Sequence, residues 1–185
     1  IVEPPVVQKP YPPMWVGAGS EASIRKVARD GFNLLLDQIS SFAAIGEKLT
    51  TYRDELEKAG KPFDPYKVGV TRGLMVANND AERREAHILR GKFVSQVQVL
   101  TTDQKKGPKA FNPVGTTNDT DALSENGAIV GNADEMAERV QRLADLGVRN
   151  ILLHDLSGSS EALQQFAEEV MPQFAGGAAK AEAAE

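Results

Sequence analysis

Met14-Trp15-Val16 runs into Gly17-Ala18-Gly19-Ser20 and then into an amphipathic segment from Glu21 to Asp30, the order of a strand, a small-residue loop and a helix. In such a loop the backbone N–H groups of the first helical turn have no intrahelical partners. The positive end of the helix dipole lies behind them, so the place suits an anion such as a phosphate. Gly17, Ala18, Gly19 and Ser20 are therefore the candidate anion-binding residues. The same composition also serves a plain turn, because glycine permits positive φ. Ser20 is as good a helix N-cap as it is a phosphate contact, and Glu21 beside it opposes an anion.

Two further side chains could do chemistry. His154 is one of two histidines, ends an apolar run and precedes Asp155. There it can donate to a bound ring or act as general acid or base near neutral pH; the alternative is a histidine packed under the last loop and bonded to a backbone carbonyl. Arg72 interrupts the run from Val68 to Val76, either facing outward or facing inward with a carboxylate partner that burial demands. His87 falls within a helical pattern. The sequence has no cysteine, which excludes disulfides, thiolate metal sites and a cysteine nucleophile. It has no His-Glu-x-x-His, Gly-x-Ser-x-Gly or phosphate-loop lysine motif, so no metal is expected.

The elements that position these residues can be read from spacing. Met14 to Val16, Asn33 to Leu36, Val68 to Val76 and Asn150 to Leu153 are apolar or β-rich runs separated by helical patterns, which predicts parallel βα units. Ile24, Val27 and Ala28 share one helical face; Phe42, Ile45, Leu49, Tyr52 and Leu56 make a second, and Ala86, Leu89, Phe93, Val97 and Leu100 a third. Asn132 with Glu135 predicts a capping box, Met136, Val140 and Leu143 continue that face, and Gly147 stops it. Asp80 reads as a cap. A last helix spans about Ser159 to Met171, with Leu163, Phe166 and Val170 inward and Pro172 at its limit. A weak repeat, Ala28-x-x-Gly31 into Leu34-Leu35-Leu36 and Ala144-x-x-Gly147 into Ile151-Leu152-Leu153, passes twice from helix through glycine to an apolar strand.

Residues 1–13 hold five of the ten prolines and predict an extended arm. Residues 14–174 form the α/β body, 101–131 a long polar insertion that is a lid, a binding loop or disordered, and 175–185 a disordered tail. The chain opens on Ile1 rather than methionine, as a processed chain or a piece of a longer one does. Four βα units are half of an eight-stranded barrel, which takes about 250 residues. Left alone they would expose two apolar edges, so a homodimer or pairing with the missing barrel half is expected. A net charge of -5 argues against nucleic acid as a partner. No apolar run reaches the roughly 20 residues of a membrane span, and no signal peptide is visible. A soluble, cytoplasmic protein is expected.

Several segments resemble the luciferase-like flavin-dependent monooxygenases, in the family's order. They are Pro10 to Ser20 with Asp30-Gly31-Phe32-Asn33-Leu34; Arg72 to Ala77 with Asp80-Ala81-Glu82; Gly127 to Arg139; Gly147 to His154; and Phe166 to Pro172. The resemblance spans residues 4–174 and matches the family's carboxyl-terminal half. It implies strands five to eight of a (β/α)8 TIM-type barrel, with reduced FMN or a deazaflavin at the barrel mouth, a small organic substrate and, in the monooxygenase branch, molecular oxygen. Gly17, Ala18, Gly19 and Ser20 would meet the phosphate end, His154 and Arg72 would be catalytic if they face the pocket, and 101–131 would close over it. The scarcity of catalytic motifs suits a reaction whose redox work the cofactor carries. The alternatives are a non-catalytic half-barrel assembly module and an unrelated phosphate-binding α/β protein.

Overall fold

The expected stripes through Ile24, Phe42 and Met136 meet strands, and the strands lie side by side. The computed structural model describes residues 7–9, 11–103, 107–108 and 120–175. In chain order these hold β1 (Trp15–Gly17), α1 (Glu21–Asp30), β2 (Asn33–Leu36), α2 (Phe42–Lys58), β3 (Val68–Val76), α3 (Asp80–Thr101), β4 (Thr102–Asp103), β5 (Gly107–Pro108), α4 (Thr120–Gly127), β6 (Ile129–Gly131), α5 (Ala133–Asp145), β7 (Asn150–Asp155) and α6 (Ser160–Gln165). Most of the proposed proline arm, the tail beyond Ala175 and the centre of the 101–131 stretch lie outside the described residues.

The main sheet is parallel throughout: β1 pairs β2, β2 pairs β3, and β3 pairs both β6 and β7. Gly69 is in register with both Leu35 and Asn150, and Leu74 with both Ile129 and Asp155. β7 therefore runs along one edge of β3, while β2 and the short β6 share the other. β1, β2, β3 and β7 follow one another across the sheet in chain order, as successive βα units commonly do. The fifth strand, β6, was not among the four expected. Three residues are too few for a periodic signal, and only the nine-residue length of β3 leaves room for it above β2.

One face of the sheet is sealed. Leu34, Leu36, Val68 and Val70 pack with Ile24, Val27 and Ala28 of α1 and with Ile45, Leu49, Tyr52 and Leu56 of α2. Leu74 and Ile129 pack with Met136 and Val140 of α5 and with Phe166 and Val170. The opposite face carries Trp15, Leu35 and Leu152, the side chains a Cβ at Gly69 would meet. It is largely open, Trp15 being 42% and Leu152 48% exposed. Among the described residues only its upper end is covered, where Ala86 of α3 joins Met75 and Phe93 meets the His154 ring edge-on with centroids 5.6 Å apart.

The helix boundaries follow local chemistry. Ser20 and Ser41 cap α1 and α2, and Asn132 with Glu135 forms the expected capping box. The cap of α3 is Asn79 rather than Asp80: its Oδ1 accepts from the amides of Ala81 and Glu82, both at 3.0 Å. Glu82 occupies the third helical position from Asn79, the spacing of a capping box. Beyond α6 the helix widens into a π turn at Phe166–Val170 and tightens into a 3-10 turn at Met171–Gln173. Pro172 has no N–H and its ring crowds the carbonyl four residues back, so regular α bonding cannot continue. Leu163, expected inside, is exposed, and Ala162 is buried in its place.

Gly147, which ends α5, has φ +89°, and a Cβ there would lie 2.3 Å from Nη2 of Arg53. That guanidinium donates to the Leu146 carbonyl and stacks 4.4 Å from the Phe63 ring centroid. Gly147→Ala should therefore cost about 1–3 kcal/mol, read as a lower urea midpoint; an unchanged midpoint would mean the turn relaxes freely.

Candidate active site

The loop Gly17-Ala18-Gly19-Ser20 joins β1 to α1 and forms one wall of a cleft of about 650 Å³. Ser23, the segment Leu35 to Ile39, Thr71 of β3 and Val97 of α3 complete it. The cleft thus sits at the carboxyl ends of β1 and β2, where βα sheets place ligands. All four residues singled out in the glycine loop are brought together there.

The glycines of this loop are not required by a left-handed backbone. Among the described residues, positive φ occurs only at Gly31, Gly60, Gly131, Gly147 and Gly158. At Gly17 an added Cβ would meet nothing within 4 Å. Neither backbone angle nor crowding inside the chain calls for glycine, and what its missing Cβ leaves is open approach to the backbone from the cleft. Ser20 does cap α1: its Oγ accepts from Ser23 N–H at 3.3 Å and donates to Ser23 Oγ at 2.9 Å. The Ala18 amide is engaged with the Leu35 carbonyl at 3.1 Å. The amides of the first turn of α1 have no intrahelical acceptors and face outward from the helix end. Glu21, which would repel an anion there, is paired with Arg25 at 2.7 Å.

Asp37, at the end of β2, orders the second wall. Its Oδ1 accepts from the amides of Ile39 and Ser40, at 2.9 and 2.7 Å. Its Oδ2 accepts from Ser40 Oγ at 2.8 Å and Lys48 Nζ at 2.7 Å. Burial alone would push this carboxyl up, but the Lys48 ammonium and the hydrogen bonds from Ser40 and Ile39 outweigh it and hold it at about 2. Asp37 is thus a fixed anion that shapes the 37–40 turn rather than a proton donor.

The two side chains proposed as catalytic lie elsewhere. Arg72 is fully buried behind the cleft wall, its Nη1 donating to the carbonyls of Asp37 at 2.9 Å and Thr71 at 3.2 Å, and its guanidinium 5.5 Å from the Phe42 ring centroid. Its neighbour Thr71, not Arg72, faces the cleft. His154 stands in register with Gly73 on the open face, exposed, against Phe93 and not in the cleft wall. Asp155 accepts from Ser157 N–H and Oγ, closing the turn after β7.

Sequence reasoning missed Arg90. It is fully buried, and its Nη2 donates to the Gln38 carbonyl. It sits on α3 between Ala86 and Val94, which are also buried, so the inward line of that helix runs through Ala86, Arg90 and Val94. The expected line through Leu89, Phe93 and Val97 lies on its margin, half-buried. Within the 101–131 stretch, α4 is held by Glu125, which accepts from Arg83 and His87 of α3 and Arg139 of α5. Among the described residues no three His, Cys, Asp or Glu side chains gather to hold a metal, and no helix is long and apolar enough to cross a membrane.

A family model described as luciferase-like monooxygenase matches residues 1–150. Among solved structures the chain resembles monooxygenase RslO1 from Streptomyces bottropensis, with TM-score 0.65 and 20% identity over 90% of this chain and 50% of that one. It also resembles the oxygenating constituent of 3,6-diketocamphane monooxygenase from Pseudomonas putida, solved with FMN, with TM-score 0.59 and 16% identity over 88% and 49%. A third similar structure is an F420-dependent secondary alcohol dehydrogenase holding an F420-acetone adduct, with TM-score 0.59 and 16% identity over 85% and 48%. The chain spans about half the length of these structures. Its parallel βα sheet is the fold expected for half of such a protein.

Proposed function

The chain belongs to the luciferase-like monooxygenase family, and from that premise we propose that it forms part of a flavin-dependent oxidoreductase, with the phosphate end of the cofactor at Gly17-Ala18-Gly19-Ser20. The observation that carries this is the opening at Gly17, where a ligand can reach the backbone at the amino end of α1. A phosphate there would meet the first-turn amides that Ser20 does not cap, and the apolar floor around Leu35, Leu36 and Ile39 would suit a flat ring. When bound, a reduced flavin supplies electron-pair transfer and, in the monooxygenase branch, activation of molecular oxygen. The protein's own part is to position the ring, exclude water and hold the Asp37 turn rigid beside it.

FMN is the first choice of cofactor and a deazaflavin the second, since similar structures were solved with each kind. Titration with FMN and with a deazaflavin, read by quenching of flavin fluorescence, tests the reading. Saturable binding of either, weakened by inorganic phosphate, is expected; no binding of either to a protein with its barrel complete would remove it. His154 keeps a role only if a bound ring reaches the open face, and Arg72 acts from behind the wall rather than on substrate.

The uncovered face favours a second component. Trp15 and Leu152 are large apolar side chains that a (β/α) sheet ordinarily buries. A homodimer, or pairing with another half-barrel, would cover them, and the chain by itself would then be an assembly module without turnover. Sedimentation should show self-association or a partner; a stable, active monomer would exclude the module reading.

A further inference from the structure

Strand alternation divides the side chains of β3 between the two faces of the sheet. Val70 and Leu74 go to the sealed side, and Arg72 joins them beside Phe42. Gly69, Thr71 and Gly73 go to the open face, and two of these three have no side chain. Neighbours fill the space above each glycine: Trp15 and Leu35 lie over Gly69, Arg90 and Leu156 over Gly73. Thr71 is therefore the side chain that β3 itself presents between them, half-buried in the lining of the cleft. Its hydroxyl makes no hydrogen bond among the described residues, and its oxygen is not sealed from solvent. The serines and the carboxylate of the cleft are already engaged. Ser20 and Ser23 bond to one another at 2.9 Å, and Asp37 accepts from Ile39, Ser40 and Lys48.

Packing does not call for this hydroxyl. Valine has the same shape and suits a half-buried strand at least as well. The surroundings are apolar, with Leu35, Leu36, Ile39 and Val97 in the cleft lining and Leu152 in register with Thr71 on β7. A ligand that covers this floor strips water from the hydroxyl, a costly step unless the ligand returns a hydrogen bond. We infer that Thr71 is a ligand-orienting residue of the cleft, its hydroxyl hydrogen-bonding the polar edge of a flavin ring. The inference rests on the flavin reading above and adds to it where the ring lies. Thr71 stands two strands away from the glycine loop, about 10 Å at ordinary strand spacing. A ligand with its phosphate at Gly17 to Ser20 thus reaches Thr71 not with that phosphate but with its ring, across the ribityl chain. The pyrimidine edge of a flavin carries carbonyl oxygens and an N–H, and a hydroxyl can donate to the first or accept from the second.

FMN and riboflavin share the ring and differ by the phosphate, so together they separate the two ends of the cleft. Each is titrated into wild type, Thr71→Val and Thr71→Ser, with fluorescence and absorbance as readouts. Thr71→Val should weaken both ligands by the same factor, about 3- to 10-fold, as the loss of one neutral hydrogen bond does. The absorbance of the bound flavin should also move toward that of free flavin. Thr71→Ser keeps the hydroxyl and should restore both affinity and spectrum. Thr71→Ala carries the same expectation as the valine variant should that one fold poorly. Equal affinity and an unchanged spectrum in Thr71→Val would overturn the assignment of Thr71 while wild-type binding leaves the flavin reading standing. Weakening of FMN alone would place Thr71 at the phosphate end, and a serine variant as weak as the valine one would make the effect one of packing; both outcomes overturn the assignment. Wild-type protein that binds neither flavin would remove the flavin reading and this inference with it.

Discussion

Gly17→Leu is expected to weaken flavin binding about 10- to 100-fold, equivalent to losing one or two hydrogen bonds to a charged group, while the Tm stays within about 1 °C. The two halves of this expectation rest on different facts. Gly17 has no positive φ, so leucine meets no backbone penalty, and its Cβ would touch nothing in the chain, so folding gains and loses little. The side chain would instead occupy the space through which a phosphate reaches the first-turn amides of α1. Surface substitutions away from buried contacts ordinarily change stability by less than about 0.5 kcal/mol. The measurement is a paired fluorescence titration and thermal melt of wild type and variant. Unchanged affinity would detach the loop from the cofactor, and a collapse of Tm would show that Gly17 is structural after all.

The loop was legible because its signal is local: a small-residue turn between a β-rich run and an amphipathic helix needs no knowledge of the rest of the chain. The same holds for the stripes of α1 and α2, where Ile24, Val27, Ala28, Ile45, Leu49 and Tyr52 are buried as their spacing predicts. Arg90 was illegible for the opposite reason. Reading a helix by its apolar residues assigns a guanidinium to the solvent side, and only tertiary placement beside Gly73 and the Gln38 carbonyl makes Ala86, Arg90 and Val94 the buried line. β6 was hidden by its length, since three residues have no period and their strand character comes from the free upper end of β3. Asp37 follows the apolar run Asn33 to Leu36, but Lys48, eleven positions on and nearly two helical turns into α2, had no reason to be joined to it before the fold was known. The chemistry of this site is thus readable where it is built from consecutive backbone and unreadable where it is built from buried charges on separate elements.

Asp37 supplies the second large expectation, an acid-dependent loss of stability that one substitution should reduce. Its carboxyl lies at about 2 in the folded protein against 3.8 for an unperturbed aspartate. Because the folded value is the lower one, the unfolded chain binds the proton more readily. The stabilisation is therefore complete above about pH 4 and disappears as the pH falls through about 2. A difference of this size corresponds to about 2 kcal/mol, and the carboxylate is sheltered enough, with 18% of its side chain exposed, for solvent to screen it only in part. Glu125 titrates in the same direction: burial would raise it, but His87, Arg83 and Arg139 hold it at about 2. With about a third of its side chain exposed, it should contribute less and be weakened by salt. Asp37→Asn should lower the Tm at pH 7 by about 4–8 °C, and the gap to wild type should close between pH 4 and pH 2. Because the same carboxylate fixes the amides of Ile39 and Ser40 beside the cleft, flavin affinity should fall with it, in wild type on acidification and in the variant already at neutral pH. A gap that stays constant from pH 7 to pH 2 would mean that the Lys48 pairing contributes nothing to folding, and the 37–40 turn would then be held by the two arginines behind it.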